Sequence, residues 1–136
     1  MPHIENISES FKLYLKKKKL IDHSSNPKNY GLFKAYDFIS GEYNPSCGDS
    51  IIMCGLVQDD ILQDIRFEAQ GCMLSMAMAS ILTEYVKKMQ LDVILKLDTE
   101  IIEQLLEIEL GPNRLRCATL SIDALQGGIK KYQKKS

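Results

Sequence analysis

A chain of 136 residues, 45% hydrophobic and 26% charged, has the material for one folded core, and one domain over residues 1–136 is the expectation. Its formal net charge of −1 gives no bulk positive surface for nucleic acid, and its apolar runs fall short of a membrane span. The opening MPHIENISES lacks the apolar core of a signal peptide, so a cytoplasmic protein is expected.

Residues 7–22, ISESFKLYLKKKKLID, are predicted helical, with Ser8 or Ser10 as the cap and Phe11 and Leu15 on one face. The lysine run Lys16–Lys19 reads as a solvated stretch of that helix. HSSNPKNYG (23–31) is rich in turn residues and is expected to be a loop. FKAYDFI (33–39) alternates as a first strand, and Ser40-Gly41 and Asn44-Pro45 then break the pattern. SIIMCGLV (50–57) and ILQDIRFEA (61–69) are two more strands, joined through Asp59-Asp60 as a hairpin. Gly71 ends the hairpin, and CMLSMAMASILTEYVKKM (72–89) is a strong helix whose small residues allow close packing on the sheet. Short helices at 91–97 and 99–108 follow, with Asp98 or Thr99 as a cap. LGPNR (110–114) reads as a loop before a last helix at 117–133, with Leu120, Ala124 and Leu125 inward. The fold class is α+β: a small three-stranded antiparallel sheet with helices packed on one face. One strand row, either Ile52, Cys54 and Leu56 or Ile51, Met53 and Val57, would then be left for a second subunit, so a monomer or a weak homodimer is expected.

Four cysteines stand at 47, 54, 72 and 117, with no CxxC among them, so spacing alone is a weak metal signal. Their placement says more. Cys47 falls on the turn NPSCGD, outside any apolar stripe, with Asp49 two residues on. Cys72 and Cys117 are predicted at the first turns of helices, where unpaired N–H groups favour thiolate over thiol. Three thiols and a carboxylate at element ends suit zinc or an iron–sulfur cluster, against the alternatives of cysteines buried as small hydrophobes and an Asp49 that caps a turn. Cys54 lies within a strand pattern and reads as structural. His23 could complete a ligand set, but its loop setting favours turn or capping duty. With His3 and His23 the only histidines, and no Cys–His pair suggested, a hydrolase is disfavoured.

In order along the chain, DHSSNPKNYG, NPSCGD, RFEAQGCMLSMAMAS and NRLRCATLSIDAL resemble the U-type iron–sulfur cluster scaffolds, the IscU/SufU/NifU N-terminal family, over about residues 10 to 132. The resemblance implies a SufE/NifU-like α+β fold and a site of Cys47, Asp49, Cys72 and Cys117 that holds a transient [2Fe–2S] cluster or, alternatively, Zn2+. It implies a cysteine desulfurase as sulfur donor, with Cys117 and Cys47 as candidate persulfide acceptors. It further implies apo iron–sulfur proteins or cluster carriers as recipients; charge and apolar run length, separately, give no expectation of a nucleic-acid or membrane partner. Two functions follow: an assembly scaffold, or a zinc-dependent sulfur acceptor of the SufU type. IscU-type members carry histidine immediately before the last cysteine; here it is Arg116, which cannot be an ordinary ligand but can hold Asp49 or a thiolate by a charge-assisted bond. SufU-type members carry an insertion before the last cysteine, which the interval between Cys72 and Cys117 leaves no room for. LGPNR differs from the LPPVK-like segment that the IscU branch offers to its chaperone, so a chaperone stays an open partner.

Overall fold

The structure is a computed structural model describing residues 8–135. The elements run α1 (Glu9–Ser25), β1 (Phe38–Asn44), β2 (Asp49–Gln58), β3 (Ile61–Gln70), α2 (Met73–Val86), α3 (Leu91–Leu95), α4 (Thr99–Leu106) and α5 (Pro112–Lys135). The sheet is antiparallel in the order β1-β2-β3. Among the described residues no helix is long and apolar enough to cross a membrane.

The β2–β3 turn is as expected: Asp59 and Asp60 take φ of 56° and 58°, the left-handed pair that a two-residue hairpin of the native twist needs. The first strand is displaced. It starts at Phe38 and continues through Ser40-Gly41 to Asn44, because Gly41 pairs with Ile52 inside the ladder instead of ending it. Residues 33–37 lie outside it, tied down by Asp37, which bonds Gly55 and Val57.

Strand side chains alternate between faces. Phe38 and Ser40 of β1, Ile51, Met53 and Gly55 of β2, and Ile65 and Phe67 of β3 form one row set, and all of these are buried. The long helix α5 covers β1 and β2, α2 packs on β3 and α5, and α1 lies against α2. The opposite row is not the open face expected: Cys54 is fully buried, and Phe33 N–H donates to its sulfur at 3.4 Å. Ile39, Tyr43 and Ile52 remain substantially exposed there, beside the exposed Arg66 and Glu68. The free edge of β3 is blunted at both ends: Asn29 and Gly31 bond Phe67, and Lys88 and Met89 bond Leu62.

Ser8 caps α1 as predicted, accepting from Phe11 N at 3.2 Å, while the predicted start at residue 7 lies outside the described residues. The helix runs past the predicted loop boundary to Ser25, and Phe11 and Leu15 are exposed. The lysine run is not uniformly solvated: Lys19 Nζ donates to Leu105 O at 3.2 Å and faces Glu107, fixing α1 to the end of α4.

The approach of α5 to the sheet is set at Gly128. A Cβ there would stand 2.5 Å from Cδ1 of the buried Phe38 ring, whose other contacts include Gly55. Overpacking of about 1–3 kcal/mol should outweigh the roughly 1 kcal/mol that alanine gains in a helix. Gly128→Ala is therefore expected to lower stability in urea unfolding. A raised midpoint would show that the ring can slide away.

Candidate metal centre

Pleating explains how one short loop delivers two donors of opposite exposure. Asn44 and Asp49 form the last pair of the β1–β2 ladder, so Asp49 falls in the Ile51–Met53 row and is carried under the helices, 1% exposed. Cys47 belongs to the loop between them. There Asn44 Oδ1 accepts from Ser46 N at 3.0 Å and Asn44 O from Gly48 N at 2.8 Å, and Gly48 turns the chain at φ 74°. This loop leaves Cys47 exposed at its tip.

Cys72 is the N-cap of α2, its sulfur accepting from Ser75 N at 3.4 Å. Cys117 is placed differently from the expectation. Pro112 opens α5 at the position proline favours, and Leu115 N already bonds Gly111 O at 2.9 Å. Most of the predicted loop is thus the first turn of α5, and Cys117 sits roughly a turn and a half inside. The helix-terminus argument for a thiolate does not reach it. Burial, first, and then the hydrogen bond and charge of Cys47, with further charge from Cys72 and Asp49, push the Cys117 thiol up to about 12.

The four predicted donors converge as two proton-sharing pairs. Cys117 Sγ donates to Cys47 Sγ at 3.2 Å, and Cys72 Sγ donates to Asp49 Oδ2 at 3.4 Å. One ligand atom each from Cys47, Asp49 and Cys117 lies within 4.8 Å of the other two. Cys72 stands outside that trio and joins it through Asp49. Burial pushes the Asp49 carboxyl upward, but hydrogen bonds from Ser75 Oγ (2.5 Å), Cys72 N (3.0 Å) and the thiols outweigh it and hold it below the usual carboxylate range. Donors around one tetrahedral zinc lie roughly 3.5–3.8 Å apart. The observed 3.2 Å between Cys47 and Cys117 and 3.4 Å between Cys72 and Asp49 are close to that span, so each pair suits neighbouring positions on an ion that replaces its shared proton.

Ser75 belongs to this site, although its run of small residues predicts a packing role. A hydroxyl three positions after a helix cap is the available signal, because that position faces the cap. Arg116 does not take its expected place: it is exposed and, among the described residues, has no ion pair with Asp49, whose donors are Ser75 and Cys72. His23 lies in the last turn of α1, its Nδ1 2.7 Å from Ser80 Oγ, fastening α1 to α2 away from the donors. Cys54 is buried and distant from the site in the sheet, as expected. Beside the sulfurs lies a cavity of about 490 Å³ lined by Cys72, Cys117, the apolar Leu20, Leu74 and Leu110, and the charged Lys17 and Arg114.

Solvent-reachable thiols gathered around one buried carboxylate, on a small sheet roofed by helices, define a protein that handles thiophilic metal or sulfur. The model of the NifU-like N-terminal domain matches residues 15–136, and the chain belongs to that family. It is 37% identical over 122 residues to the iron–sulfur cluster assembly scaffold protein IscU of Escherichia coli K12, covering 86% of this chain and 93% of that one. It is 32% identical over 131 residues to the zinc-dependent sulfurtransferase SufU of Bacillus subtilis, covering 84% and 88%. The fold is shared with a crystal structure of SufU from Fervidobacterium islandicum, at TM-score 0.71 and 20% identity over 82% of this chain and 94% of that one.

Proposed function

We propose that this protein is an iron–sulfur cluster assembly scaffold: it takes sulfur from a cysteine desulfurase, combines it with iron, and passes a [2Fe–2S] cluster to apo-proteins or cluster carriers. The observation that carries this reading is the gathering of Cys47, Asp49 and Cys117 within 4.8 Å, with Cys72 on the same carboxylate. A cluster that must leave needs ligands that let go. Three thiolates with a carboxylate in place of a fourth make an incomplete thiolate set, and two of the cysteines are exposed. The neighbouring cavity offers an apolar surface next to the sulfurs for the partners that deliver and collect the cargo.

Of the two candidate sulfur acceptors, the geometry favours Cys47 in the metal-free protein. It is exposed, and its sulfur accepts the Cys117 S–H hydrogen bond. The Cys47 thiolate attacks the terminal sulfur of the desulfurase persulfide; a new S–S bond forms on Cys47, the old one breaks, and the desulfurase cysteine leaves as thiolate. Cys117, held protonated, is the weaker nucleophile.

The second reading is a zinc-dependent sulfur acceptor. Arg116 stands where IscU-type members carry histidine, and the Bacillus subtilis relative bears that activity in its name. In this reading zinc would be held by Cys47, Asp49, Cys72 and Cys117, and would supply charge that keeps the thiols deprotonated until one is displaced.

Anaerobic incubation with iron, cysteine, reductant and a cysteine desulfurase separates the two. The scaffold builds a brown species with visible cluster absorption, and Cys47→Ser, Cys72→Ser and Cys117→Ser each lose it. Three variants as competent as wild type would remove the site assignment. Strong stimulation of desulfurase turnover by zinc-loaded protein, with no cluster built, would select the second reading.

A further inference from the structure

Ser75 reaches three of the four donor residues. Its hydroxyl lies 2.5 Å from Asp49 Oδ2, 3.4 Å from Cys72 Sγ and 3.2 Å from the Cys117 carbonyl. It has one proton to give, and the nearest acceptor is the carboxylate. The residue is buried, and its position is set by its own helix, since its N–H caps onto Cys72.

Two of the donors on Asp49 are thiols or thiol-adjacent, and they do not all persist when metal arrives. The Cys72 S–H bond to Oδ2 is lost as soon as that thiol gives up its proton to become a ligand. Cys72 N–H on Oδ1 and the Ser75 hydroxyl on Oδ2 remain. One donor on each oxygen fixes the rotation of the carboxylate. Without the hydroxyl, Oδ1 alone is held and the group can turn about its last bond. A metal-bound carboxylate is oriented by hydrogen bonds of this kind, and removing one weakens metal binding by about 10–100-fold.

We infer that Ser75 is a positioning residue for metal binding: it keeps the Asp49 carboxylate turned toward Cys47 and Cys117, acting on the ion through Asp49. This rests on the metal-handling reading of the site. It assigns a role to the helix residue three after Cys72, which touches no expected cargo itself.

The test is Co(II) titration of the metal-free protein, read by the sulfur-to-cobalt absorption bands, with thermal unfolding of each metal-free variant alongside. Ser75→Ala is expected to weaken Co(II) binding about 10–100-fold. Ser75→Thr, which keeps the hydroxyl, is expected to recover most of the loss. In an Asp49→Ala background Ser75→Ala should cause no further loss, because the two act as one unit. Ser75→Ala binding within about twofold of wild type, or an equal loss in both backgrounds, would overturn the role of Ser75 while leaving the site standing. No Co(II) binding by wild type would overturn the site reading and this inference with it.

Discussion

Gly71→Ala is expected to dismantle the carboxylate's seat and to unfold the metal-free protein more easily by about 2–5 kcal/mol. Gly71 links β3 to the Cys72 cap at φ 154°, in a region that side chains rarely adopt. A Cβ built there falls on the Asp49 carboxyl group itself, closer than any real contact. Any retreat of the carboxylate breaks the hydrogen bonds that Cys72 N and Ser75 Oγ make to its two oxygens. Relief requires Asp49 to swing out, leaving a buried hydroxyl and N–H without their acceptor, or the β3–α2 link to move, which shifts Cys72. Either route also separates Cys72 from Asp49. Urea unfolding and Co(II) titration of the same variant check both halves. Wild-type stability with intact metal binding would show that the link between β3 and α2 is not held as described.

Metal affinity is expected to fall about tenfold for each pH unit lost on account of Cys117 alone, or roughly a thousandfold between pH 9 and pH 6. The sign follows from proton release. Cys117 keeps its proton in the metal-free protein up to about 12, and a thiolate ligand must give that proton up. Binding is therefore opposed by the proton concentration at every accessible pH, and tightens as pH rises. Zn(II) competition titrations across that range in the wild type and in Cys117→Ala provide the comparison. The variant should bind more weakly and show a slope about one decade per pH unit shallower. A wild-type slope under one, or an unchanged slope in Cys117→Ala, would mean that Cys117 is not a ligand or does not carry the proton. Physically, a site that must displace shared protons releases its ion when acidified, which suits a protein whose cargo is meant to depart.

Much of this was legible in the residues because the signals are local. A β-prone apolar run marks β2, alternation marks β3, Asp59-Asp60 their turn, Ser8 and Asp98 their caps, and the off-pattern position of Cys47 marks it as something other than core. The misses have physical causes too. Ser40-Gly41 signals the end of a strand, but inside a ladder the cost of glycine is small against the paired backbone, so β1 runs on to Asn44. LGPNR carries the loop signals glycine and proline, yet proline is at home in the first turn of a helix. That shift of roughly a turn and a half decides whether Cys117 feels a helix end or a crowded sulfur pair.

Residue types, their periodicity and the motifs around Cys47, Cys72 and Cys117 were enough to determine the elements, the α+β class and which side chains could be donors. Only the tertiary structure decided that Asp49 points under the helices while Cys47 stays outside, that Cys117 shares its proton with Cys47, that Ser75 holds the carboxylate and that Arg116 does not. The reason is range. Periodicity and turn chemistry act over a few residues. The meeting of a hairpin loop, a helix cap and the interior of a later helix depends on strand register and on how α5 seats against Phe38, and those are fixed by packing among residues far apart in the chain.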